Sequence, residues 1–293
     1  MFDLRYHVAS LAAVFIALII GILVGVGLAG SGVTKDAELK RAKLQNANLS
    51  AAVQQKDAQI QSLARTQKAF QLAYPALMAN RLAGKRVAIL FIGPVNAKIS
   101  GAIERTLADA GAQPPLRVRA ISVPIDAQTI DTALFARPAF VKYVGDDKLG
   151  PLGKALASEF ALGGDTPLWT LLSRQLVEER SGSAKKPADA VVVVRTVKPQ
   201  SGVTARFLTG LLRGLAVGGT KVVAVEDVTT QPSAVAAFTK RGLSTVDDVD
   251  QPVGRLALAL LLNGGVPGHY GVKDSATAVL PHVEPVAAAP PGG

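Results

Sequence analysis

The chain has 293 residues with no cysteine, which excludes disulfides, thiolate metal sites and thiol redox chemistry. Its net charge of +10 is spread out, with seven basic and three acidic groups over 35–80 (+4) and 24 against 18 over 81–293 (+6). That suits anionic head groups or acidic wall polymers, whereas 5% aromatic residues and no basic stripe argue against nucleic acid.

Val8 to Gly30 is a run of 23 residues without a charged side chain. About 20 apolar residues in a helix span a bilayer core, so the run predicts one membrane-crossing helix, with Val8, Phe15, Ile19, Leu23 and Leu28 on its apolar surface. A cleaved secretory signal is the alternative, because Gly27 and Ala29 satisfy a small-residue rule. Signal cores run only about 7 to 15 residues, which favours an uncleaved anchor. Arg5 on one side against Lys35, Lys40, Arg41 and Lys43 on the other favours a cytoplasmic domain by charge count. The signal-like position at the amino end favours the opposite, and an extracytoplasmic domain is the expectation.

From Val33 to Tyr74 there are 42 residues with neither Gly nor Pro, which predicts a long helix. Alternate steps of three and four from Leu39 pass through Asn46, Leu49, Val53, Ile60, Leu63 and Phe70, and nine of the twelve positions up to Leu77 are apolar. This is the seam of a coiled coil, with Asn46 at an a position where it fixes a parallel two-stranded register. At about 1.5 Å per residue such a stalk spans roughly 60 Å. A helix folded back on its own domain is the alternative, since Lys56 and Gln67 interrupt the seam. Tyr74-Pro75 is expected to stop or kink the helix.

After Gly84 the texture changes. VAILFI at 87–92 and AVVVVRTV at 190–197 are continuous apolar runs, which predict strands buried on both faces. Further strands are expected at 116–123, 221–225 and 243–246. Helices are expected at 98–110, 126–135, 149–162, 166–179, 201–217, 233–240 and 252–262, with an exposed loop at 181–187. Strands alternating with helices define an α/β class, a doubly wound and mostly parallel sheet. The predicted organisation is therefore a transmembrane signal anchor over 1–32, a coiled-coil stalk over 33–80, the α/β domain over 81–281 and a disordered tail over 282–293.

No catalytic constellation emerges. Gly93-Pro94-Val95-Asn96 matches neither a dinucleotide fingerprint nor a phosphate-binding P-loop, and a helix starting after Asn96 offers an anion only what any helix offers. Glu226-Asp227 follows a strand and reads as a solvated pair or a helix cap. Asp247, Asp248 and Asp250 lack the glycine and glutamate of a calcium loop and read as a solvated turn. His7, His269 and His282 have no metal-ligand spacing, and the methionines are Met1 and Met78, so the soft donors of a copper(I) site are scarce. The apolar runs are continuous rather than alternating, which is not the texture of a membrane barrel.

The opening FDLRYHVASLAAVFIALIIGILVGVGLAG, the heptad helix, the strand entry GKRVAIL and GHYGVKDSATAVLP, with His269, Tyr270 and Gly271, together resemble the MctB-type copper transport protein family of actinobacteria. The resemblance implies a membrane-associated envelope protein in copper efflux or tolerance, assigned to the outer membrane in mycobacteria. Some relatives are tied instead to cell division and control of peptidoglycan hydrolases through envelope protein partners. Copper enters only by this resemblance, and no metal ligand or catalytic residue is carried over. The reading from the residues is a non-enzymatic, membrane-anchored parallel homodimer whose domain binds a partner, which the resemblance implies is an envelope protein.

Overall fold

The computed structural model describes residues 4–29, 33–183 and 185–283, with side chains over 11–27 and 38–283 apart from 184 and 217. The last ten residues of the expected disordered tail lie outside the described residues. The chain divides into two units, 1–69 and 70–293.

The first unit is helical. Helix α1 covers Leu4–Ala29 and helix α2 covers Val33–Met78, the latter running on into the second unit. Among the described residues no helix is long and apolar enough to cross a membrane. The run expected to do so, Val8 to Gly30, extends past both ends of the described side chains of α1. Pro75 does not stop α2, which continues to Met78 and ends where Asn80 adopts a left-handed φ of 60°. Asn is one of the few residues other than Gly that tolerates that conformation.

In the second unit β1 (Val87–Ile92), α3 (Ala97–Asp109), β2 (Arg117–Ile121), α4 (Ala127–Phe135) and α5 (Leu149–Leu162) follow in order. Next come α6 (Pro167–Leu171), α7 (Ser173–Leu176), β3 (Val177–Gly182), β4 (Ala190–Arg195) and α8 (Gly202–Gly214). The last are β5 (Lys221–Val225), α9 (Val235–Thr239), β6 (Ser244–Val246), α10 (Pro252–Leu262) and β7 (His269–Tyr270). The sheet order is β3-β2-β1-β4-β5-β6-β7, parallel throughout except for antiparallel β3. Alternate residues of the central strands feed two cores. Ala88, Leu90, Val191 and Val193 pack on α4, α5, α8 and α9, while Ile89, Phe91, Val192 and Val194 pack on α3, α10 and the end of α2. Because α10 lies on the face opposite α8 and α9, the β6-α10-β7 crossover has the opposite hand to the other parallel crossovers, an arrangement rare enough to set this edge apart.

The single helix expected at 166–179 is two short helices and an edge strand. Leu168, Trp169, Leu172 and Leu176 are all buried, and the Glu159 carboxylate accepts from Leu168 N and Trp169 N to start α6. From Val177 the chain is drawn into extended pairing with β2, which also takes in the first residues of the expected loop at 181–187.

Helices α5 and α8 touch backbone to backbone through glycines. A Cβ on Gly210 would fall on the carbonyl group of Gly150, and one on Gly153 on the carbonyl of Phe207. Gly210→Ala gains about 1 kcal/mol of helix propensity but forces two backbones apart, at the upper end of the 1–3 kcal/mol, roughly, that overpacking costs. The expected net result is a domain less stable by about 2 kcal/mol, or roughly 4–8 °C in Tm, read by the fluorescence of Trp169. An unchanged Tm would show that the helices separate freely.

Candidate functional site

Strands β5 and β6 end in acidic residues that the fold buries. Glu226 is 2% exposed. Its Oε1 accepts from Ser233 Oγ at 2.6 Å and Lys273 Nζ at 2.6 Å, and its Oε2 accepts from Ala234 N at 2.7 Å. Lys273 Nζ also donates to the carbonyls of Asp227 (3.0 Å) and Thr230 (3.2 Å), so its three protons are all placed. Asp227 accepts from Lys98 Nζ at 2.9 Å and from the hydroxyls of Thr229 and Thr230, and Lys98 also pairs with Asp250 at 3.1 Å. Burial pushes the Asp227 pKa up, but the hydrogen bonds from Thr230, Lys98 and Thr229 outweigh it and hold it below the usual carboxylate range. The solvated readings of Glu226-Asp227 and of Asp247, Asp248 and Asp250 are thus corrected: all five are largely buried, and for all but Asp248 tertiary partners make burial tolerable.

The segment after β7 closes this cluster. Asp247 Oδ1 accepts from Val272 N at 2.9 Å and Lys273 N at 3.3 Å. Gly271, at φ 140°, lets the backbone reach that carboxylate, where any Cβ would collide with it. His269 and Tyr270 form β7 itself. His269 Nδ1 lies 3.2 Å from Thr245 Oγ1 and 3.3 Å from Thr239 Oγ1, and the Tyr270 hydroxyl donates to Val266 O. The three motif residues therefore shape the edge that delivers Lys273. Asp248, fully buried, has no hydrogen-bond partner on either carboxylate oxygen among the described residues. Burial, with Asp247 and Asp250 beside it, pushes its pKa up to about 7.

Beside this network lies a crevice at the carboxyl ends of β1 and β4. The chain leaves β1 toward β2 and returns to β4 on the other side, so this is the topological switch of the sheet, where open α/β folds collect ligands. Asn96 caps α3, its Oδ1 accepting from Ile99 N at 3.0 Å. Thr196 Oγ1 donates to Pro94 O at 2.8 Å and holds the two strand exits together. The cavity between them has a volume of about 310 Å³ and is lined by Asn96, Arg195, Lys198, Asp227 and Gln231 among others. Burial lowers the Arg195 pKa, against the pull of Glu226.

The other predicted residues fall elsewhere. Phe15, Ile19 and Leu23 are exposed on α1, and the side chains of Val8 and Leu28 lie outside the described residues. Leu39, Leu49, Val53, Ile60 and Leu63 are 51–70% exposed on α2, with Asn46 also exposed. Phe70, expected in the seam, instead packs against Tyr74 and the domain core. Met78 is fully buried in that core. Among the described residues no group of three or more His, Cys, Asp or Glu could hold a metal ion. Lys98 and Arg195 carry no signal in the sequence, whereas Lys273 lies in the GHYGVKDSATAVLP stretch, which does not show its pairing with Glu226.

Fold and site together define an α/β domain with a switch-point crevice, preceded in the chain by the helices α1 and α2. The chain belongs to the MctB family, described as copper transport outer membrane proteins, which matches residues 1–281. It is similar to the copper transporter MctB of Mycobacterium tuberculosis (strain H37Rv) and of Mycobacterium bovis, at 24% identity over 322 aligned positions covering 95% of this chain and 99% of each relative.

Proposed function

We propose that this chain is a membrane-anchored, dimeric envelope component of a copper efflux or tolerance system. In this reading α1 is the anchor, α2 joins two copies in parallel, and the α/β domain stands outside the cytoplasm and engages an envelope protein. The observation that carries it is the row Leu39, Leu49, Val53, Ile60 and Leu63, more than half exposed at a and d positions of a seven-residue repeat along one helix. Apolar surface of that regularity gains about 25 cal/mol per Å² on burial, and an identical helix offers a matching row. Support for copper comes from the family and from the relatives named copper transporter. The donors on this chain favour a role through assembly over a pore or a copper-binding centre of its own, since Cys is absent and Met78 is buried.

With no native cysteine, single-cysteine variants of the full chain in membranes report the seam without background. Leu49→Cys and Val53→Cys are expected to cross-link to a dimer on mild oxidation, and Ala51→Cys, on the outward face, is not. Equal cross-linking at all three positions would defeat the parallel seam. Cells lacking the chain should grow less well at raised copper, with rescue by the natural chain but not by Leu49→Lys with Val53→Lys. Unchanged copper tolerance with a division defect would instead favour the second reading, an envelope scaffold controlling peptidoglycan hydrolysis, to which the scarcity of soft donors also points.

A further inference from the structure

The crevice at the switch point has donors to spare and an acceptor already engaged. Its one carboxylate, Asp227, is held by Lys98 and by the hydroxyls of Thr229 and Thr230. The Thr196 hydroxyl is engaged with Pro94 O. Arg195 makes no ion pair among the described residues, donates through Nη2 only to Pro232 O at 3.3 Å, and keeps a buried Nε with no partner. Lys198 likewise has no carboxylate partner among the described residues, and the Asn96 side-chain amide is used only through its oxygen.

These donors come from three places: the end of β4, the loop after it, and the turn before α3. A cavity of about 310 Å³ between them is at the small end of ligand pockets. A guanidinium, an ammonium and an amide around a cavity suit several oxygens on one atom better than the two coplanar oxygens of a carboxylate, and arginine pairs with phosphate through parallel N–H bonds. The Arg195 guanidinium donates only to Pro232 O among the described residues, and an oxyanion would supply the charge-assisted partner it lacks.

The geometry points to this crevice as a binding site for a phosphate group, free or as a monoester, held by Arg195, Lys198 and Asn96. The site is independent of the seam on α2, and it requires neither copper nor a second copy. Phosphate here has two sources, a soluble phosphomonoester or a lipid head group. The test uses the full chain in non-ionic detergent and equilibrium dialysis against radiolabelled orthophosphate, with glycerol 3-phosphate as competitor. A second arm uses mixed micelles containing phosphatidic acid.

The expected result is saturable binding of about one phosphate per chain, weakened about tenfold or more by Arg195→Gln and by Lys198→Gln, a tenfold change being about 1.4 kcal/mol. Lys142→Gln, away from the crevice, leaves it unchanged. Lys198→Gln, an exposed change, keeps the test decisive if Arg195→Gln fails to fold. Binding in the first arm assigns a soluble ligand; binding only with phosphatidic acid, lost in Lys198→Gln, assigns a head group. No saturable binding in either arm, or binding indifferent to both substitutions, overturns the site.

Discussion

Lys273→Met should destabilise the α/β domain by about 3–5 kcal/mol, the cost of breaking a buried ion pair from one side. Glu226 would lie at 3% side-chain exposure with its 2.6 Å partner gone, and the carbonyls of Asp227 and Thr230 would each lose a donor. Trp169 is the chain's one tryptophan and is buried in the domain, so its fluorescence follows domain unfolding within the full chain. The Tm should drop by roughly 10 °C. Adding Glu226→Gln removes the stranded charge and should recover part of the loss, giving a coupling energy for the pair. A single Lys273 variant within about 1 kcal/mol of the natural chain would mean that Glu226 is held by Ser233 and Ala234 N alone.

Asp248 supplies the second large effect, and its sign is opposite. Its pKa rises from the ordinary 3.8 to about 7 in the fold, chiefly through burial, then through Asp247 and Asp250, with Lys273 pulling the other way. A carboxyl raised in this way costs nothing below its unfolded pKa, where both states hold the proton. Stability is then lost as pH climbs from the unfolded value through the folded one. Asp248→Asn fills the same space without ionising, so its advantage over the natural chain should grow by about 2 kcal/mol between about pH 5 and about pH 8. Urea titrations followed through Trp169 at the two pH values measure this. An advantage that does not change with pH would show that Asp248 ionises alike folded and unfolded. Since Lys273 favours the Asp248 anion, the two substitutions should not add.

What the amino-acid sequence makes legible divides along local and distant interactions. VAILFI and AVVVVR declare themselves because a strand buried on both faces needs no polar alternation, and both lie at the centre of the sheet. VEERSG does not, because an exposed edge strand has no apolar pattern and depends on its partner β2 for its conformation. Two-residue β7 is too short to leave any period. The same division explains the site. Glu226 and Lys273 are 47 residues apart, Lys98 and Asp227 are 129 apart, and nothing near the Glu-Asp sequence shows that a lysine will arrive from elsewhere. Gly271 was visible as a motif residue, but its purpose, close approach to Asp247, exists only in the folded chain.

The two borders of the sheet bear on the proposed pairing. One is β3, whose Glu178, Glu179 and Arg180 are exposed, and the other is two-residue β7, extended among the described residues only by a single bridge from Tyr270 to Ala278. Two chains tethered along α2 would hold their α/β domains at an effective concentration on the order of millimolar, far above what expression alone provides. At that concentration an open, apolar sheet border would fuse with its neighbour strand by strand. Charge on one border and brevity on the other make fusion unfavourable, so in the proposed dimer tethering would raise avidity for a shared partner while the two domains stayed separately folded.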